Sequence, residues 1–169
     1  MKIIDNFLSK ELAEKIEKTL IGDDAVFPWY YNKHVVGDAP KDTLNEYQFT
    51  HIFYKEYVVY SQFFSIVGPL IEKLNPECII RIKANLNPRT DVRHTFPYHV
   101  DFLSKSSDRK TAIYYVNSND GVTILEDGTE IESVANRLVI FDQKISHTGT
   151  TCTDQKVRCL INLNYIELN

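Results

Sequence analysis

Val157-Arg158-Cys159-Leu160-Ile161-Asn162-Leu163-Asn164-Tyr165-Ile166 carries two kinds of side chain in strict alternation. Successive side chains of a strand point to opposite faces, so Val157, Cys159, Ile161, Leu163 and Tyr165 share one face and Arg158, Leu160, Asn162 and Asn164 the other. The first face is apolar and needs a core to cover it. The second is largely polar and holds a cation. On a half-exposed sheet it is a solvated surface; in a barrel backed by helices it lines a lumen that receives a polar ligand.

The same period of two extends outward from this stretch. From Cys78, residues Ile80, Ile82, Ala84 and Leu86 alternate with Ile79, Arg81, Lys83 and Asn85 until Asn87-Pro88 ends the run. Shorter β-like runs cover Thr111 to Asn117, Val122 to Leu125, Thr129 to Ile131 and Arg137 to Phe141. Turn signals separate them: Asn117-Ser118-Asn119-Asp120-Gly121, Glu126-Asp127-Gly128 and Asn136. Many short strands at this spacing predict a sandwich, jelly roll or barrel.

The N-terminal part reads differently. Ser9 suits an N-cap, Glu11 suits the positive end of a helix dipole, and Leu12, Ala13, Ile16 and Leu20 form an apolar stripe that Gly22 closes. A second helix is expected over Tyr54 to Leu74, with Val59, Phe63, Val67, Leu70 and Leu74 on its apolar face and a break or kink at Gly68-Pro69. Residues 23–50 read as irregular. There, Trp29-Tyr30-Tyr31 either border a substrate entrance or belong to a surface excursion pinned by one buried Trp. Helices first and strands afterwards place the helices outside the sheet. The expectation is a mainly β domain with N-terminal helices spanning residues 1–169, with helical support over about 1–76 and the β core over about 77–169.

Composition narrows the function. A formal charge of -4 argues against a duplex-binding surface, so nucleic acid is not the expected partner. No apolar run approaches bilayer-spanning length and no secretory leader is visible, so no membrane association is expected. Cys78, Cys152 and Cys159 are odd in number and form no CxxC pair, which fits a reducing, cytoplasmic setting better than a disulfide framework.

Three residues suggest a metal. In His99-Val100-Asp101 an imidazole and a carboxylate stand two positions apart, so in an extended segment both point the same way. His147, 46 residues after Asp101 (147 minus 101), is the distal candidate. Two imidazoles and one carboxylate leave half of an octahedron open, which suits non-haem Fe(II) oxygenases; a tetrahedral site is the usual preference of zinc.

These pieces resemble the 2-oxoglutarate- and Fe(II)-dependent oxygenases, in particular their prolyl 4-hydroxylase-like branch. The family pattern of HxD, a distal His and a basic residue about ten positions later is matched by His99-Val100-Asp101, His147 and Arg158, the last 11 positions on (158 minus 147). Arg109-Lys110-Thr111-Ala112-Ile113-Tyr114-Tyr115-Val116-Asn117 is similar to the strand that supplies a tyrosine to the cosubstrate. Arg158 to Tyr165 is similar to the strand that opens with the basic residue, and Ile4-Asp5-Asn6-Phe7-Leu8-Ser9 to the opening of many small members.

The resemblance implies a double-stranded β-helix, a cupin-like jelly-roll barrel. It implies Fe(II) on His99, Asp101 and His147, and 2-oxoglutarate and O2 as cosubstrates, with ascorbate as the accessory reductant of many relatives. Arg158 would pair with the distal carboxylate of 2-oxoglutarate through its guanidinium fork. Tyr115 would donate to that carboxylate while Tyr114 faces the core. Asn85 is read from the polar face of the Cys78 to Leu86 strand, where it would hydrogen-bond the cosubstrate or order the site; some family members carry a tyrosine in this neighbourhood, from which this sequence departs. The implied reaction is hydroxylation of an unactivated C–H bond with release of succinate and CO2. A peptidyl proline is its leading substrate, with free amino acids, other small molecules and nucleobases also open. A jelly-roll binding module without catalysis, and a cupin-like metalloenzyme without 2-oxoglutarate, are the alternatives. His34 and His51 carry no partner pattern and read as structural or surface residues, and His94 as a surface residue or a neighbour of the site.

Overall fold

The computed structural model describes residues 1–35, 46–101 and 108–167. Its elements in chain order are β1 (Lys2–Ile4), α1 (Lys10–Ile21), β2 (Tyr30–Asn32), β3 (Gln48–Lys55), β4 (Val58–Val59), a 3-10 turn (Phe64–Val67) and α2 (Gly68–Leu74). There follow β5 (Cys78–Pro88), β6 (Arg109–Tyr115), β7 (Asn119–Leu125), β8 (Glu130–Ser133), β9 (Arg137–Asp142), β10 (His147–Gly149) and β11 (Val157–Ile166). Strands run in a large sheet, β1-β9-β6-β11-β5-β3-β2 with β4 on β3, and a small one, β10-β7-β8. Neighbours are antiparallel throughout, and the architecture is the expected double-stranded β-helix.

The strand β11 lies centrally, between β5 and β6. Its Cys159, Ile161, Leu163 and Tyr165 join Ile82 and Ala84 of β5 in a core closed from outside by Ile16 and Leu20 of α1. Its Leu160 faces the other way, into a second cluster with Ile113, Tyr115, Leu125, Ile131, Val139 and Phe141 between the two sheets. Full burial of one such aliphatic side chain contributes about 1.5–3 kcal/mol, so covering the outer face is a large part of what fixes β11 in the sheet.

The N-terminal expectations hold in part. Helix α1 begins at Ser9, whose hydroxyl accepts from the Leu12 amide at 3.4 Å, and Ile16 and Leu20 are its buried positions. Leu12 is exposed. Gly22 ends the helix with its N–H on the Lys18 carbonyl.

The predicted helix over 54–74 is a correction. Tyr54 and Lys55 finish β3, and Glu56 and Tyr57, both at positive φ (52° and 66°), turn the chain into β4. Two consecutive left-handed residues make the tight hairpin loop that matches strand twist. Only 68–74 is α-helical, and Gly68-Pro69 starts that helix rather than kinking it, since a first-turn proline forgoes no hydrogen bond. The support before residue 77 is thus strands as well as helices. Strand β3 runs from the end of the segment read as irregular into the start of the one read as helix; Gln48, Thr50 and His51 interrupt its apolar residues and a bulge between Ile52 and Tyr54 shifts its phase, which hides its period.

Candidate active site

His99, Asp101 and His147 are brought together although the last two are far apart in sequence. His99 and His147 exchange both backbone hydrogen bonds, each 2.9 Å, which sets the two side chains abreast with ring centroids 4.7 Å apart. The three potential ligand atoms lie within 4.8 Å of one another. His99 sits on an isolated bridge and not inside a regular strand; His147 opens β10.

The surroundings hold these groups in ligating forms. Nδ1 of His147 lies 3.1 Å from the Ile145 carbonyl, and such a contact fixes which nitrogen stays free to ligate. Burial, followed by the neighbouring His147, lowers the pKa of His99 and favours neutral imidazole. Around Asp101, burial pushes the carboxyl upward, but Arg81, His147 and the Asn164 amide outweigh it and keep the group ionised. Arg81 donates to Oδ1 at 2.9 Å; Asn164 and Thr111 donate to Oδ2 at 2.8 and 3.2 Å. Asn164 also accepts from Arg81 Nε at 3.1 Å, so the carboxylate is oriented by a closed network.

The triad opens on a pocket lined by both faces of the barrel interior. From β5 come Lys83, Asn85 and Asn87; from β11 come Arg158, Leu160 and Asn162. Gln48 of β3 and Thr123 of β7, neither singled out from the sequence, also line it. Arg158 is only 2% exposed, and no carboxylate among the described residues pairs with it. Its Nε donates to Ser133 and Nη2 to Thr123, both at 2.9 Å. A Cβ on Gly121 would come within 2.6 Å of Arg158 Cδ, and one on Gly149 within 3.1 Å of Nη1, so two strands pass the arginine where they carry no side chain. Burying a guanidinium without a counter-ion is costly, which points to an anion supplied from outside.

The other predicted residues fall as follows. Tyr115 is fully buried and donates to Thr123 Oγ1 at 2.8 Å, so it joins Arg158 through a shared hydroxyl; its ring centre is 5.8 Å from the guanidinium carbon. Tyr114 faces the core, donating to Asn136. Asn85 lines the pocket with its buried Oδ1 unpartnered, as are Nδ2 of Asn87 and Oδ1 of Asn162. Trp29 is tied inward, its indole N–H on the Leu20 carbonyl at 3.1 Å and its ring against Phe27. Tyr30 and Tyr31 are exposed on β2, the edge strand beside β3. His51 is structural, bonded to the Pro28 carbonyl and the Ser61 hydroxyl. His94 stands apart from the triad against Phe96. Asp120, Cys152 and Asp154 also approach one another, but Asp120 is occupied by the Thr153 amide and hydroxyl at 2.7 and 2.6 Å.

No family model and no curated protein sequence matches the chain. Solved structures do. A prolyl hydroxylase of Trichoplax adhaerens, in complex with a hypoxia inducible factor oxygen degradation domain peptide fragment, superimposes with a TM-score of 0.67 at 16% identity, covering 98% of this chain and 82% of that one. A 2OG-Fe(II) oxygenase family oxidoreductase of Burkholderia pseudomallei gives 0.66 at 13%, covering 99% and 85%. The epimerase SnoN, in complex with Fe3+, alpha ketoglutarate and nogalamycin RO, gives 0.64 at 10%, covering 98% and 78%. At these identities the likeness is one of fold: the chain has the architecture of the prolyl hydroxylase-like Fe(II)/2-oxoglutarate oxygenases. No helix among the described residues is long and apolar enough to cross a membrane.

Proposed function

We propose that this chain is a non-haem Fe(II)- and 2-oxoglutarate-dependent dioxygenase that hydroxylates an unactivated C–H bond. The observation that carries the proposal is the pairing, in one pocket, of a two-His, one-carboxylate cluster with a buried arginine that has no counter-ion among the described residues. The donor set fits iron: two imidazoles and one ionised carboxylate, with room on the pocket side for further ligands. Bound Fe(II) with 2-oxoglutarate and O2 supplies the oxidising chemistry, releasing succinate and CO2.

The protein's own part is positional. His99, Asp101 and His147 hold the metal, and Arg81, Asn164 and Thr111 hold Asp101. Arg158 receives the distal carboxylate of 2-oxoglutarate, with Thr123, Ser133 and Tyr115 fixing its fork. Asn85 offers an unpartnered amide oxygen to the same space. A peptidyl proline is the first substrate to try, because the Trichoplax relative in fold is a prolyl hydroxylase; ascorbate is added to such assays as a reductant.

Anaerobic titration of the purified protein with Fe(II) and 2-oxoglutarate tests the proposal. The expected result is the weak visible charge-transfer band of the chelate, absent in His147→Ala. No band in folded wild-type protein would overturn it, leaving a binding or structural module. Iron binding without any response to 2-oxoglutarate would favour a cupin-like enzyme of another kind.

A further inference from the structure

The cosubstrate accounts for one of the two lysine or arginine side chains that line the pocket among the described residues. The other is Lys83. It stands on the lumen face of β5 in the polar ladder Arg81-Lys83-Asn85-Asn87, opposite the β11 ladder Asn164-Asn162-Leu160-Arg158. The registers Arg81↔Asn164, Lys83↔Asn162 and Asn87↔Arg158 order the floor of the pocket. The first of these rungs clamps Asp101. Lys83 is one rung further in, about 7 Å along the strand, and Arg158 lies about 13 Å beyond Lys83 by strand rise.

Lys83 makes no hydrogen bond or ion pair among the described residues, although Arg81 beside it is fully engaged with Asp101 and Asn164. Among the described residues Asp101 is the one carboxylate that lines the pocket, and its oxygens already accept from Arg81, Asn164 and Thr111. Facing Lys83, Asn162 presents an Oδ1 without a donor. Burial, then the nearby Arg81, draws the ammonium down to about 8, against an opposing but smaller pull from Asp101. With Arg158 and Lys83 as the pocket cations among the described residues, a dicarboxylate held at Arg158 would leave Lys83 without an anion of its own beside Asp101.

We infer that Lys83 is a specificity determinant: it receives a carboxylate of the primary substrate, whose class is a carboxylic acid. The inference rests on the oxygenase reading above. It distinguishes a substrate with its own acid group from a prolyl residue in mid-chain, whose carbonyls are neutral amides and offer a buried ammonium only weak compensation.

The experiment uses the anaerobic Fe(II)·2-oxoglutarate complex of the whole chain, with free L-amino acids and the corresponding carboxamides as probes. Binding is read by calorimetry and by the shift of the chelate band. In the wild type, acids should bind and amides bind at least tenfold more weakly. Lys83→Met should lose at least tenfold in affinity for the acids with 2-oxoglutarate affinity unchanged, and Lys83→Arg should retain most of it. Acids and amides that behave alike in the wild type, or that both fail to bind, would overturn the inference without any variant having to fold. So would a Lys83→Met variant that loses 2-oxoglutarate instead, which would assign Lys83 to the cosubstrate. A variant that loses iron would make Lys83 a support for Asp101 and likewise end it. Absence of the chelate band in the wild type is the separate outcome that sinks the oxygenase reading itself.

Discussion

The two faces of β11 are built from one backbone and obey opposite rules. On the outer face Cys159, Ile161, Leu163 and Tyr165 pack with apolar side chains of α1 and β5, and the Tyr165 hydroxyl alone of their side-chain oxygens is buried without a partner among the described residues. On the inner face Arg158, Asn162 and Asn164 are just as enclosed, yet Asn162 keeps an unpartnered amide oxygen and Arg158 an unpaired charge. Buried polar groups are normally satisfied. An enclosed face left partly unsatisfied is therefore one shaped for a ligand, and the contrast separates what stabilises the molecule from what it works with.

The sharpest way to break that contrast is to truncate the outer face. Ile161→Ala should destabilise the fold by about 2–5 kcal/mol in denaturant unfolding, while 2-oxoglutarate affinity of the remaining folded protein stays within a few-fold of wild type. A matching loss of cosubstrate binding would show that the two faces are not independent.

On the inner face the signs reverse. Arg158→Lys keeps the charge but loses the fork; each charge-assisted hydrogen bond is worth about 1.5–3 kcal/mol, so 2-oxoglutarate should bind roughly 10- to 100-fold more weakly with iron retained. Unchanged cosubstrate affinity would remove Arg158 from its assigned role. Thermal stability should fall, since the more strongly hydrated ammonium is no cheaper to bury and loses the guanidinium's bonds to Ser133 and Thr123.

Asn164→Ala tests the network around the carboxylate. It deletes the donor to Asp101 and the acceptor for Arg81 in one step. Metal affinity should fall by about 10- to 100-fold, the usual consequence of disturbing the partners of a ligand. Iron binding as tight as wild type would mean that Arg81 and Thr111 suffice.

The smallest effect belongs to a histidine outside the site. Burial lowers the pKa of His51 below its ordinary 6.5. The folded state therefore takes up the proton later than the unfolded chain, and the stability tied to neutral His51, present above pH 6.5, is lost as pH falls through its folded pKa. Wild type should lose more stability than His51→Gln between pH 7 and pH 5. Parallel pH profiles would show that His51 carries its charge freely in the fold.

The barrel half of this fold was legible because strand alternation is local. Cys78 to Leu86, Arg137 to Phe141 and Val157 to Ile166 each announce two faces without reference to any partner, and the structure has strands there. The segment from 48 to 74 was not legible in the same way. Its strand β3 mixes Gln48, Thr50 and His51 into the pattern and carries a bulge, and the hairpin at Glu56-Tyr57 depends on two residues at positive φ that are neither Gly nor Asn. Spacing of apolar residues at three and four positions extended the helix back over Tyr54 to Val59, where pairing of β3 with β5 and β4 prevailed.

The site divides along the same line. His99, Asp101, His147, Arg158 and Asn85 could be named from motif and alternation, because ligand type and strand face are written in residue identity and sequence separation. Which groups hold Asp101, that Tyr115 reaches Arg158 through Thr123, that Gly121 and Gly149 clear the arginine's path, and that Lys83 has no ion-pair partner among the described residues were decided by tertiary structure alone. Each depends on strands distant in sequence being laid side by side in one register. The sequence determines which side chains face inward; only the folded sheet determines which of them find a partner there and which remain for a ligand.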